Sequence, residues 1–82
     1  MKKSEIVVAV FTKSHPTKTE KQVLRDLTAL LSDQSVDMDQ WDVTVPDPIA
    51  KSMIRNIGSA RGELVMEYVV RDIDIILKRI SV

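Results

Sequence analysis

The chain of 82 residues contains no cysteine, one histidine, two glycines and three prolines. The missing thiols exclude disulfides and thiolate metal sites, and one histidine alone does not build a zinc site. Only Phe11, Trp41 and Tyr68 are aromatic, so the core must be aliphatic. No apolar run approaches the roughly 20 residues that span a membrane. The sequence therefore predicts a cytoplasmic, non-enzymatic protein without a cofactor or metal.

The chain also lacks net charge, because twelve Lys and Arg residues balance twelve Asp and Glu residues. A neutral chain has no general attraction for nucleic acid or an anionic membrane. Basic residues concentrate between Met1 and Arg25, and acidic residues gather between Asp26 and Asp47. This distribution favours two solvated faces of opposite sign over a dedicated binding patch. The length predicts a single domain over residues 1–82.

The N-terminal third predicts a strand followed by a helix. The continuous apolar run Ile6–Phe11 is typical of a strand that is buried on both faces or nearly so. Pro16 ends that strand, and Thr17 with Glu20 matches a capping box. Leucine and valine then recur at helical spacing. The pattern predicts a helix from about residue 18 to residue 32.

The middle of the chain predicts a second strand and a short helix. Trp41–Val45 alternates apolar and polar residues, as a strand with one buried face does. Asp47 is a suitable N-cap, and Pro48 suits the first helical position. We expect a helix over Pro48–Ile57, and a third strand over Ser52–Ile57 is the alternative.

The last twenty residues, Glu63–Val82, form the strongest pattern. Apolar side chains recur with a period of about 3.6 residues, and charged side chains occupy the opposite side. This amphipathic helix is expected to complete the core and is a candidate interface for a homodimer. The expected fold is an α+β two-layer domain with the order β-α-β-(short helix or third strand)-long C-terminal helix.

The segment Gly58–Gly62, before this helix, has two interpretations. Backbone amides at a helix N-terminus beside an arginine are able to bind an anion. In the simpler interpretation, Gly58 ends one element and Ser59 caps the next. The capping role is favoured, and anion binding stays open.

The layout of nearly the whole chain resembles the DinI-like family of small DNA-damage-inducible proteins. The resemblance rests on a strand ending at Lys13–Pro16, a helix, a strand at Trp41–Val45, Ile57–Ser59 and a final helix. It implies a β-α-β-β-α fold and a regulatory protein that binds a RecA-type recombinase filament. Four acidic positions of the last helix are the candidate partner contacts: Glu63, Glu67, Asp72 and Asp74.

A competing resemblance covers only residues 41–80. This segment is similar to a ribbon-helix-helix module, which implies a dimeric DNA-binding transcriptional regulator. Asp42 and Thr44 would then face the major groove, and Ser59 and Arg61 would hold a phosphate. Nucleic acid is an expected partner only in this alternative.

Overall fold

A computed structural model describes residues 1–60 and 66–80, with side chains described for 1–57 and 66–75. Five helices follow one another in this part of the chain: α1 Lys3–Ser14, α2 Glu20–Asp33, α3 Met38–Trp41, α4 Asp47–Ala60 and α5 Met66–Ile80. Across the described residues there is no sheet, and the β-type pairing is one antiparallel bridge between Lys2 and Thr44. The expected α+β, two-layer fold is therefore wrong.

The predicted first strand is instead the central helix, α1, which packs against α2, α4 and α5. Ile6, Val7 and Val10 are fully buried within it, and Phe11 is nearly so. A helix covered on three sides is apolar around most of its circumference, so its sequence loses the 3.6-residue period. A short apolar run of this kind cannot be told from a buried strand by pattern alone. The prediction of burial is confirmed for Ile6, Val7, Val10 and Phe11, whereas Val8 and Ala9 are half-buried; the predicted secondary structure is wrong.

Helix α2 confirms the second predicted element, but its cap lies two residues later than expected. The hydroxyl of Thr19 accepts a hydrogen bond from the Gln22 amide at 3.2 Å, and the Gln22 side chain accepts from the Thr19 amide at 2.9 Å. This reciprocal pair is a capping box. The motif occurs twice in overlapping register, at Thr17 and at Thr19, and only the second copy caps the helix.

The predicted strand at residues 41–45 is also wrong. Trp41 ends the short helix α3, which the Asp37 side chain caps by accepting from the Asp39 amide at 3.0 Å. The residues that follow lie beside the N-terminus: the Lys3 amide donates to the Val43 carbonyl at 3.2 Å. The single bridge joins Thr44 to Lys2, the residue before α1. Because no described strand lies beside residues 41–45, they do not form the hydrogen-bond ladder of a β-sheet.

The two C-terminal predictions of helix are confirmed. Residues 47–60 form α4, so a helix rather than a third strand follows Pro46, and it continues past Gly58. Asp47 lies in the first turn instead of capping it, and its carboxylate accepts from the Met1 ammonium at 3.0 Å. The final helix α5 buries Val69 and Ile73 completely. The predicted helix covered Glu63–Val82, and residues 61–65 and 81–82 lie outside the described residues.

The core lies where α1, α2, α4 and α5 meet, and it is aliphatic apart from Phe11 and Trp41. The deepest contributions from the other helices are Val23, Leu27, Leu31, Ala50, Met53, Val69 and Ile73. None of the helices in the described ranges is long and apolar enough to cross a membrane.

Candidate interaction surfaces

The acidic residues predicted on the last helix do not share one free surface. Asp74 lies 2.9 Å from the Lys3 ammonium, whose side chain is only 13% exposed. The same ammonium lies 5.2 Å from the centre of the Trp41 ring, so the pair ties α5 to the start of α1. Glu67 is exposed and Asp72 is half-buried. Glu63 falls outside the described residues.

The exposed side of α5 carries mixed chemistry rather than acidic charge alone. Arg71 lies 3.9 Å from the Glu67 carboxylate, and its guanidinium carbon lies 5.0 Å from the centre of the Tyr68 ring. Tyr68 and Ile75 are large apolar side chains with 45% and 41% of their surface exposed. We define the α5 face as Glu67, Tyr68, Arg71 and Ile75, which are all exposed.

The residues of the DNA-binding alternative are divided between two places. Asp42 accepts hydrogen bonds from the Ser4 amide at 2.9 Å and from the Ser4 hydroxyl at 2.8 Å, and thereby satisfies the N-terminus of α1. Thr44 forms the bridge to Lys2 beside it. Ser59 belongs to the last turn of α4. Arg61 lies outside the described residues.

Two adjoining clefts form a surface that the sequence did not predict. The first, with a volume of about 480 Å³, lies between α1 and α2. The second, of about 620 Å³, continues along α2. Lys21 and Leu24 line both. We call them together the α1–α2 groove, which is also lined by Met1, Ser4, Glu5, Val8, Ala9, Glu20, Arg25, Thr28, Ala29 and Ser32.

The groove is apolar at its centre, because Leu24 stands between the two clefts with 41% of its surface exposed. Val8 and Ala9 of α1 are half-buried on one side of it. On the other side the lining side chains of α2 are small: Thr28, Ala29 and Ser32. The result is an open channel with one large apolar side chain in the middle.

The charges of the groove are unevenly compensated. Glu5 accepts from the Lys2 amide at 3.1 Å, and Glu20 lies in the first turn of α2, where the helix dipole stabilises a carboxylate. Lys21 and Arg25 are exposed, and neither forms an ion pair with a side chain that the structure describes. Lys21 and Arg25 are therefore the cations of the groove that form no ion pair with a described side chain, although Glu5 and Glu20 line the same groove.

The sequence did contain a signal for this groove. Leu24 follows the helical spacing of the α2 core residues, yet only Val23, Leu27 and Leu31 are buried. On a helix, Leu24 lies one turn from Lys21 and from Thr28, at the border between the apolar and the charged sides. A large leucine at that border is an indication of a surface contact.

Comparisons of the chain with protein-family models, with curated proteins and with solved structures find no match. Among the described side chains, no group of three or more histidine, aspartate or glutamate residues could hold a metal ion. The interpretation of the two surfaces therefore depends on their own chemistry.

Proposed function

We propose that this protein is a small helical interaction protein whose α1–α2 groove binds an amphipathic helical segment of a partner protein, with acidic side chains on that segment. One observation carries the proposal. Leu24 is exposed at the meeting point of two clefts, and the two cations beside it, Lys21 and Arg25, form no ion pair with a described side chain.

The apolar part of the groove fits a helix that lies across Leu24. Amphipathic helices bind such channels through apolar anchors at positions i, i+3 or i+4, and i+7. Anchors on either side of Leu24 would fill the two clefts and remove its exposed surface from water. Each square ångström of apolar surface buried contributes roughly 25 cal/mol, which makes Leu24 and its anchors the main source of affinity.

The charged part of the groove selects the partner. Lys21 and Arg25 are one helical turn apart, and like charges at this spacing destabilise a helix by about 0.2–0.5 kcal/mol. Carboxylates on a bound segment relieve that repulsion. Because both cations are exposed, their contribution is mainly to association rate and selectivity, and it weakens as salt is added.

A RecA-type recombinase filament remains the partner implied by the DinI-like resemblance, and this prediction rests on sequence layout alone. The described residues lack the strands of that fold. Binding of an acidic segment in the groove is a separate proposal, which rests on Leu24, Lys21 and Arg25.

The proposal is tested with a fluorescent peptide of leucines and glutamates arranged as an amphipathic helix, by anisotropy at low and at high salt. We expect saturable binding that weakens with salt. Lys21→Glu and Arg25→Glu should each weaken binding at least about fivefold, and Leu24→Ala should do the same. The same peptide with lysine in place of every glutamate should bind weakly or not at all.

Lys51→Glu is the matched control, since Lys51 is exposed on α4, away from the groove. It changes the total charge as Lys21→Glu does and should leave peptide affinity unchanged. Equal binding of the acidic and basic peptides would overturn the proposal. So would equal losses for Lys21→Glu and Lys51→Glu.

A further inference from the structure

We infer that the helical segment bound in the α1–α2 groove carries its charges at opposite ends, with cationic side chains over the first cleft and carboxylates over the second. The inference rests on the proposed function, because it concerns the partner of the same groove. It starts from the way the charged residues of the groove are divided between its two clefts.

The first cleft carries the carboxylates of the groove. Glu5 of α1 and Glu20 of α2 both line it, and both are exposed. Neither forms an ion pair with a side chain that the structure describes. Glu5 accepts from the Lys2 amide at 3.1 Å, and this hydrogen bond leaves the carboxylate its charge. Met1 also lines this cleft, but its ammonium is already paired with Asp47 at 3.0 Å.

The second cleft has no carboxylate among the described residues that line it. Two cations and four uncharged residues surround it: Lys21 and Arg25, with Leu24, Thr28, Ala29 and Ser32. Lys21 also lines the first cleft, where it faces two carboxylates. The charge of the groove therefore changes sign near Lys21, from negative in the first cleft to positive in the second.

The length of the groove determines the size of the segment that fills it. Lys21 and Ser32 are eleven positions apart on α2, which is about 17 Å along the helix axis. A partner helix of about three turns spans that distance, so its two ends lie over different clefts. One end meets Glu5 and Glu20, and the other meets Arg25.

This charge pattern selects both the composition of the segment and its direction. Opposite charges that face each other across an interface favour the correct partner, and like charges disfavour the wrong one. A segment with carboxylates along its whole length gains at the second cleft and is repelled at the first. A segment with separated charges gains at both clefts, and reversing it in the groove would bring like charges together at both ends.

The test compares three fluorescent peptides with the same leucine anchors by anisotropy. The bipolar peptide has lysines at one end and glutamates at the other. The mixed peptide has the same composition, with both charges at each end. The third is the acidic peptide that tests the proposed function. We expect the wild type to bind the bipolar peptide at least about threefold more tightly than either of the others.

The double variant Glu5→Gln/Glu20→Gln removes both charges of the first cleft and keeps side chains that accept hydrogen bonds. It should abolish the preference for the bipolar over the mixed peptide and strengthen binding of the acidic peptide. A loss of folding would not change the affinities of two peptides in opposite directions. Asp39→Asn is the control, because it removes an exposed carboxylate of α3 outside the groove, and it should leave the preference unchanged.

The direction of the segment is measured with a nitroxide label on either end of the bipolar peptide. A label on the acidic end should broaden the amide signals of Thr28, Ala29 and Ser32 most strongly. A label on the basic end should act most strongly on Val8 and Ala9.

Equal affinity of the wild type for the bipolar and mixed peptides would overturn the inference, and so would the same broadening from both labelled ends. If the acidic peptide still binds in a salt-dependent way, the proposed function stands without the inference. Failure of all three peptides to bind would overturn both.

Discussion

At the scale of single residues, distant side chains stabilise the N-terminus of α1. The first amides of a helix have no intrahelical acceptors and carry a partial positive charge. The Asp42 carboxylate accepts from the Ser4 amide and hydroxyl, and the Asp47 carboxylate lies 3.0 Å from the Met1 ammonium. Two aspartates from the segment around α3 and α4 therefore hold the start of the central helix.

The Asp47 contact predicts a dependence on pH. Its hydrogen bond and attraction to the Met1 ammonium lower the pKa of Asp47 below the ordinary value of 3.8. A carboxylate whose pKa is lower in the folded state stabilises the fold above its unfolded pKa, and the effect is lost as pH falls through the folded pKa. The difference in thermal midpoint between wild type and Asp47→Asn should therefore begin to shrink below about pH 4 and disappear once the pH is below the folded pKa.

Carbon-13 NMR of the Asp47 carboxyl measures this pKa directly. In protein whose Met1 amine has been acetylated, the pKa should return toward 3.8. An equally low pKa after acetylation would show that the ammonium is not the cause.

The register of the α2 cap gives a second prediction. Thr19→Ala removes the hydroxyl that accepts from Gln22 and should lower the free energy of unfolding by about 1 kcal/mol. Thr17→Ala makes the same change two residues earlier, at an exposed position outside the cap, and should have little effect. Urea denaturation of both variants separates the two registers. A larger cost for Thr17→Ala would favour the earlier capping box.

At the scale of elements, the position of α1 determines the fold. It contacts three other helices, so burial differs even between neighbouring residues: Val7 is fully buried, and Val8 is half-buried in the groove. The three helices around α1 show ordinary amphipathic patterns because each has a solvent side.

Val7→Ala and Val8→Ala test this arrangement with identical chemistry. Val7→Ala should cost about 2 kcal/mol, from lost burial and the cavity left behind. Val8→Ala should cost less than about 1 kcal/mol, and both variants gain the same small helix propensity from alanine. Denaturant unfolding provides the comparison. Equal large costs would indicate the two-sided strand rather than the helix.

The elements with a solvent side could be predicted from sequence, and those without one could not. Helices α2, α4 and α5 were expected from their periodicity, because water on one side leaves a 3.6-residue pattern. For α1 that pattern is missing. The segment Trp41–Val45 alternates like a strand, but its backbone partners are the first residues of the chain, which a local pattern cannot indicate.

The interaction surfaces were predicted only in part. Contact between the last helix and a partner through Glu63, Glu67, Asp72 and Asp74 stays a prediction; the large apolar side chains that α5 exposes are Tyr68 and Ile75. The ion pair between Lys3 and Asp74 joins residues that are 71 positions apart in the sequence. The groove beside Leu24 likewise depends on how α1 packs against α2, which spacing within α2 alone does not fix.

At the scale of the whole molecule, the chain has no net charge, but two of its surfaces differ in character. The α1–α2 groove presents Lys21 and Arg25 around an apolar centre, whereas the α5 face pairs Arg71 with the Glu67 carboxylate. Cations that form no ion pair within the chain favour a partner with carboxylates.

The most direct test of the central claim, that the α1–α2 groove is the partner-binding surface, is a nitrogen-15 HSQC titration with the acidic amphipathic peptide. The measurement is made on dilute protein. We predict shift changes at Val8 and Ala9 and along α2 from Lys21 to Ser32, with the amides of the α5 face unchanged. Shift changes centred on Tyr68–Ile75, or no changes at saturating peptide, would contradict the account.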